Sequence, residues 1–341
     1  MHQPDFAALR QFPRHRLLDA ATPIARLERL ARLLPWTAGV NLYVKRDDLM
    51  AVGGGGNKLR KLEFLLGAAM AEGADTIVTV GGLQSNHARL AAAAAARAGL
   101  ACELVLGRMV PRDNEEYELG GNVLLDALFG ARVEVAPTGM APIERARERA
   151  EELRRAGRRP FVIPTGGSTP LGSLGYVAAA QEILQQQQAL GVAFDAIVVP
   201  NGSSGTHAGL AAGMIHAGLP AQRVRGFSVL GEAEATRQAT QALAQSALEL
   251  LGAGAGTLGA DDIVVDGGQR GAGYGIATGA MADAVGALAR SEGLLLDPVY
   301  SGKAFAGLLA GIREGQFASG ANLLFVMTGG TPALYAYRDA F

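Results

Sequence analysis

Thr76 to Leu106 reads TIVTVGGLQSNHARLAAAAAARAGLACELVL, and the order of residue types along it decides the fold class. Thr76 to Val80 is an uninterrupted β-branched run, the composition of a strand buried on both faces. Gly81 and Gly82 break it. Ser85 and Asn86 then open a helix, tightly packed through Ala91 to Ala96, that ends at Gly99, and Ala101 to Leu106 is the next strand. This strand–helix–strand unit carries a glycine turn at the carboxyl end of its first strand, which is where ligands sit in open α/β sheets.

Working outward, the same alternation recurs. On the amino-terminal side, Asn41 to Lys45 is a short strand, and the segment before it predicts a short helix around Ile24 to Leu34. On the carboxyl-terminal side, a helix through Val123 to Leu128 precedes a strand at Val133 to Val135. Phe161 to Pro164 is a strand followed by Thr165, Gly166, Gly167 and Ser168. Ala196 to Pro200 leads into Asn201 to Thr206 and a small-residue helix, Val224 to Leu230 is another strand, and Leu323 to Met327 runs into Thr328, Gly329, Gly330 and a helix near Pro332. Strands alternating with helices predict an α/β fold of mostly parallel sheets covered by helices. At 341 residues the chain suggests about two domains.

Between the Asn41 and Thr76 strands lies GGGGNKLRKLEF, Gly53 to Phe64. Four glycines let the backbone approach a ligand closely, and Lys58 follows them at the start of an amphipathic helix. A partly desolvated lysine loses its proton readily and suits Schiff-base chemistry. Most lysines are solvated surface charges, but this chain has only Lys45, Lys58, Lys61 and Lys303 against 27 arginines. A P-loop is excluded because Asn57 precedes Lys58 and Leu59 follows it.

Composition removes several classes. With 49% hydrophobic and 18% charged residues and a net charge of −1, the chain can bury a large core and offers no nucleic-acid surface. Arg145 to Arg159 is interleaved with glutamates and reads as a solvated helix face. Cys102, the only cysteine, excludes an intramolecular disulfide framework, fits a reducing cytoplasm and reads as a buried strand thiol. The amino terminus lacks the apolar stretch of a signal peptide, and no apolar run approaches membrane-spanning length.

Three further stretches carry candidate chemistry. NGSSGTHAG, Asn201 to Gly209, reads either as a phosphate cradle at a helix start or as an ordinary capped turn. Ser85 and Asn86 in GGLQSNHAR either bind a carboxylate through helix-start amides or simply cap the helix. DPVYSGK, Asp297 to Lys303, places Tyr300 and Ser301 just before a helix, where a tyrosine is either a packed core edge or a catalytic group. His87 lacks metal-ligand spacing to His207 or His216, so no metal site is expected. Neither the Asn201 loop nor GAGYGIATG, Gly271 to Gly279, has the spacing of a dinucleotide fingerprint.

Taken together, GGNKLRKLEFL around Lys58, the SNHAR segment, GSSGTHAGL, GYGI from Gly273, LDPVYSGKA from Leu296 and TGGTPALYAY at the end resemble one family over nearly the whole chain. It is the pyridoxal-phosphate-dependent family of D-cysteine desulfhydrases and 1-aminocyclopropane-1-carboxylate deaminases, which has the tryptophan synthase β type of fold. The resemblance implies that Lys58 holds pyridoxal 5'-phosphate and then acts as acid and base near the substrate α-carbon. Asn86 would lie against the cofactor ring and Ser85 near the substrate. Gly202, Ser203, Ser204, Gly205 and Thr206 would hold the phosphate, Tyr274 and Tyr300 would flank the substrate, and Ser301 and Thr328 would face the pyridine side. It also implies a large cofactor-binding domain from residues 1–57 plus 166–341, a small inserted domain from 58–165, and a homodimer.

Within the family, ring-opening deaminases resemble this chain except for a glutamate at the place of Ser301 and a leucine at the place of Thr328, whereas desulfhydrases carry hydroxyls at both. The resemblance therefore implies β-elimination from a small amino-acid substrate, D-cysteine or a similar β-substituted D-amino acid, to pyruvate, ammonia and hydrogen sulfide. L-cysteate sulfo-lyase resembles the same family and shares the SNHAR segment. Gly81, Gly82 and Leu90 depart from its relatives' usual residues beside the expected carboxylate site. The alternatives left open are deamination of the cyclopropane amino acid, elimination from L-cysteate, and a ligand-sensing protein of the same fold without turnover.

Overall fold

The computed structural model describes residues 6–341. In chain order the elements are β1 (Ile24–Arg26), α1 (Leu30–Leu33), β2 (Asn41–Lys45), α2 (Lys58–Ala71), β3 (Thr76–Gly82), α3 (Asn86–Ala98), β4 (Ala101–Gly107), α4 (Glu115–Leu119), α5 (Gly121–Leu128), β5 (Arg132–Val135), α6 (Pro142–Arg155) and β6 (Pro160–Ile163). They continue with α7 (Pro170–Leu190), β7 (Ala196–Asn201), α8 (Gly205–His216), β8 (Val224–Ser228), α9 (Ala233–Leu250), β9 (Val264–Asp266), α10 (Gly279–Glu292), α11 (Ser301–Arg313), β10 (Asn322–Val326) and α12 (Pro332–Ala336). One sheet has the order β5-β4-β3-β6 and is parallel throughout. The other runs β1-β2-β10-β7-β8-β9 and is parallel except for β1 at its edge. Every residue of β3 is buried, as its unbroken β-branched run requires of a strand covered on both faces.

Three segments depart from the sequence reading. The helix expected around Ile24 to Leu34 is instead β1, paired antiparallel with β2 through Ile24↔Lys45 and Arg26↔Tyr43, followed by the four-residue α1. Pro23 sets an extended entry, and pairing with the free edge of β2 outweighs the weak helical pattern. Gly81 and Gly82 do not break β3. They pair with Leu106 and Gly107, and glycine is required at 81 because a Cβ there would overlap the Ser85 hydroxyl. The three-residue β9 gave no recognisable pattern, and β8 stops at Ser228, whose hydroxyl donates to Gly231 O at 2.6 Å.

Helix α2 packs against α7 and α3 and is fixed by a buried polar network. Arg60 donates from Nη2 to Asp47 Oδ1 at 2.8 Å and from Nη1 to Glu182 Oε2 at 3.0 Å. Lys45 pairs with the same glutamate and donates to Gln186 Oε1 at 2.6 Å. Breaking a buried pair by removing one partner typically costs about 3–5 kcal/mol, so the network holds α2, and with it Lys58, against α7 and β2.

Candidate active site

The carboxyl ends of β3 and β6 from one sheet and of β7 and β10 from the other open onto a single cleft. Lys58 reaches it from the first residue of α2. The chain can turn into that helix because Gly55 and Gly56 hold φ of +75° and +134°, and a Cβ on Gly55 would overlap the Asp48 carbonyl. Lys58 Nζ donates to Asn57 Oδ1 at 3.1 Å, and Asn57 Nδ2 donates to Thr206 Oγ1 at 2.8 Å. Burial pushes the Lys58 amine down to about 8; the Arg89 charge adds to this and Asp297 opposes it. A substantial fraction is therefore the free nucleophilic amine near neutral pH.

Opposite Lys58, the turn after β7 forms a cradle at the start of α8. Ser204 has φ +68°, the only positive φ at a non-glycine residue among those described, a strained geometry that persists only where its surroundings enforce it. The turn's hydroxyls come from Ser203 and Thr206, and Ser203 Oγ lies 2.8 Å from Ser168 Oγ. Lys61 Nζ reaches the same place, donating to Gly166 O at 3.1 Å and Ser168 Oγ at 3.0 Å. A Cβ on Gly205 would fall 2.7 Å from both Lys61 Nζ and Ser168 Oγ. Helix-start amides, two hydroxyls and a buried lysine amine converging on a glycine-cleared space match a phosphate dianion, whose charge would favour the protonated form of an amine that burial and then Lys58 hold well below the ordinary lysine pKa.

The first turn of α3 supplies the third wall. Ser85 Oγ accepts from Ala88 N at 3.1 Å, which leaves its proton for a ligand. Asn122 Nδ2 donates to Asn86 Oδ1 at 3.0 Å, so the Asn86 amide is oriented with its own N–H groups toward Gly330 and the cleft. Thr79 Oγ1 spends its proton on Ile163 O at 2.8 Å, so the 2.9 Å contact with His87 is donated by Nε2 of a neutral ring. Burial, then the Lys58 and Lys61 charges, hold that ring's pKa well below the ordinary value.

Tyr274 and Tyr300 close the cleft with hydroxyls 2.6 Å apart and ring centroids 5.9 Å apart, and Lys58 Nζ lies 5.9 Å from the Tyr300 ring centroid. Burial raises both phenols, so both stay protonated. Thr328 is in the cleft wall, but Ser301 stands behind it. The Ser301 hydroxyl donates to Asp297 Oδ1 at 2.6 Å and accepts from Asp297 N at 2.8 Å. The same carboxylate accepts from the amides of Val299, Tyr300 and Ser301 at 3.0, 2.9 and 2.7 Å, and so fixes the Tyr300 backbone. The sequence reading missed Asp297, Lys61, Arg89 and Asn122. Only Asp297 left a local signal, an aspartate three residues before a helix-start tyrosine. Leu90 packs under the glycine loop, facing Gly53 and Gly56, not the cleft.

A family model described as pyridoxal-phosphate dependent enzyme matches residues 16–329. The chain belongs to the pyridoxal-phosphate-dependent enzymes. The enzyme is 43% identical over 334 residues to a D-cysteine desulfhydrase from Serratia proteamaculans, covering 97% of each chain. It is 44% identical to the D-cysteine desulfhydrase of Yersinia enterocolitica, again over 97% of each. Among solved structures, an ACC deaminase homologue superposes with a TM-score of 0.86 at 40% identity, covering 99% of this chain and 98% of the other. The fold is the α/β arrangement of the tryptophan synthase β type, and the cofactor is pyridoxal 5'-phosphate.

The residues present fit that group. The cradle from Gly202 to Thr206 with Lys61 would hold the phosphate, and Lys58, across the cleft, would take the carbonyl carbon. Thr206→Ala should therefore raise the cofactor dissociation constant by roughly tenfold to a hundredfold, the loss of about 1.5–3 kcal/mol for one charge-assisted hydrogen bond. Fluorescence titration of apo-enzyme with pyridoxal phosphate measures it. An unchanged affinity would reduce the cradle to a helix cap.

Proposed function

We propose that this enzyme eliminates hydrogen sulfide from D-cysteine, giving pyruvate and ammonia after hydrolysis of the released enamine. The observation that carries this reading is the absence of any aspartate or glutamate among the residues lining the cleft. Asp297 is sealed behind Ser301 and already accepts four hydrogen bonds. Bound pyridoxal phosphate supplies an electron sink for the pair left at the α-carbon, and without an acid at its ring nitrogen that sink is weak. Elimination of a good leaving group tolerates a weak sink, whereas opening a cyclopropane ring does not.

In this reading Lys58 moves the α-proton, its lowered pKa matching the task at neutral pH. Ser85, Asn86 and the α3 amides orient the substrate carboxylate on the positive end of the helix dipole. The paired phenols of Tyr274 and Tyr300 lie where they can donate a proton to the departing thiolate. Gly202, Ser203, Ser204, Gly205 and Thr206 hold the phosphate, and Thr328 faces the pyridine side, while the Ser301 hydroxyl is held on Asp297.

The assay offers D-cysteine, L-cysteine, L-cysteate and 1-aminocyclopropane-1-carboxylate to the cofactor-loaded enzyme. Pyruvate, sulfide, sulfite and 2-oxobutyrate are measured. Pyruvate with sulfide should be fastest from D-cysteine. Sulfite from L-cysteate, or 2-oxobutyrate from the cyclopropane substrate, as the fastest product would replace the assignment. No turnover of any of the four would return a ligand-sensing role.

The same reading takes residues 1–57 plus 166–341 as the large domain and 58–165 as the small one, supported by the division of strands between the two sheets. A homodimer is supported by Leu119, Leu124, Leu128 and Tyr335, which are 64%, 52%, 70% and 71% exposed on the adjacent α4, α5 and α12, an apolar surface a second copy would cover. A cytoplasmic setting is supported by cysteine usage: Cys102, free and buried, is the chain's single cysteine. No described helix is long and apolar enough to cross a membrane.

A further inference from the structure

Lys303 is a charge in an unfavourable place. It lies in the first turn of α11, where the helix dipole opposes a cation, and it is 0% exposed. Among the described residues no carboxylate lies within salt-bridge distance of it. Its Nζ instead donates to two backbone carbonyls, Arg270 O at 2.6 Å and Gly273 O at 3.0 Å. Arg270 and Asp297 are the charged groups that act on it. Both carbonyls belong to the irregular segment between β9 and α10, the one that carries Tyr274.

That segment has little else to hold it. Gly271, Gly273 and Gly275 all have positive φ, at 68°, 158° and 69°, so the unrestrained chain there is unusually free. Its internal backbone bonds are long, Arg270 N to Gly267 O at 3.2 Å and Ile276 N to Gly273 O at 3.3 Å, and its other ties are made by side chains: the surface pair Arg270–Glu232, the Tyr274–Tyr300 hydroxyl contact and the packing of Tyr274 and Ile276 against the core. We propose that Lys303 is a positioning residue for the reaction: its ammonium clamps the Arg270 and Gly273 carbonyls and so fixes Tyr274 against Tyr300. The start of α11 would then set both phenols, Tyr300 through Asp297 and Tyr274 through Lys303.

The proposal rests on the elimination reading and is tested on cofactor-loaded enzyme with equal cofactor content. Lys303→Met should speed amide exchange in residues 270–276 and lower kcat for D-cysteine on the order of tenfold with KM within about twofold. In the double variant with Tyr274→Phe, turnover should fall no more than about twofold below Tyr274→Phe alone, because the clamp acts through that phenol. Lys303→Gln keeps two donors on a stem too short to span both carbonyls. It should give intermediate losses, and it decides the matter if Lys303→Met does not fold. Unchanged exchange in 270–276, or additive losses in the double variant, would overturn the clamp. If Tyr274→Phe is impaired and the Lys303 variants are not, the proposal alone falls. If Tyr274→Phe is itself fully active, the role given to Tyr274 in the proposed function falls with it.

Discussion

Lys58→Ala should lower turnover by at least roughly a thousandfold, since both the covalent attachment and the proton transfer pass through this one amine. The fold should survive, because the side chain lies at the first position of α2 and its hydrogen bond is to the neighbouring Asn57. Borohydride reduction of loaded wild type should leave a phosphopyridoxyl group on the Lys58 peptide, and label on Lys45, Lys61 or Lys303 would refute the assignment. A pH dependence follows. The free amine is the reactive form, and burial holds its pKa near 8. The rate at which apo-enzyme captures pyridoxal phosphate should therefore rise through about pH 8 and level off above it, well below the ordinary lysine value. Arg89 depresses the Lys58 pKa, so Arg89→Met should move that midpoint upward.

The double change Ser301→Glu with Thr328→Leu should cut D-cysteine elimination at least tenfold, about 1.4 kcal/mol of transition-state stabilisation. It should also make stability pH-dependent. The new carboxyl would replace a hydroxyl that lies 2.6 Å from the Asp297 carboxylate in a fully buried setting. Two carboxylates sharing a dry site cannot both ionise, so the added glutamate would have a raised folded-state pKa. Stability linked to its proton is present below the unfolded value, near pH 4.3, and is lost as pH rises toward the folded value. The melting temperature of the variant relative to wild type should therefore fall from about pH 4 upward. A difference that is flat with pH would show that the glutamate turns away from Asp297. Faster ring opening than D-cysteine elimination in the wild type would remove these positions as the discriminating pair.

What the sequence made legible follows from how local each signal is. The β-branched run of β3, the Ser85 cap and Gly99 stop of α3 are short-range patterns, and each appears where its chemistry predicts. The lysine count was also informative. Apart from the buried Arg60 and Arg89 the arginines reach solvent, while Lys58 and Lys61 face the cleft. The Ile24 segment was misread because strand β1 owes its existence to the edge of β2, which no local pattern encodes. Lys61, Arg89 and Asn122 acquire roles only when α2, α3 and α5 are packed together. Ser301 was legible as a residue type at a special place, but its direction was not: the Asp297 carboxylate that captures its hydroxyl sits four residues earlier and turns it away from the cleft.

Lys45, Lys61 and Lys303 are at most 1% exposed, and Lys58 opens only into the cleft. The native surface thus offers acylating reagents no lysine side chain outside the reaction centre, so conjugation through lysine side chains is directed to the residue that the chemistry depends on. An attachment point elsewhere has to be installed, and the arginine-rich face of α6, none of whose residues lines the cleft, is a place to install it.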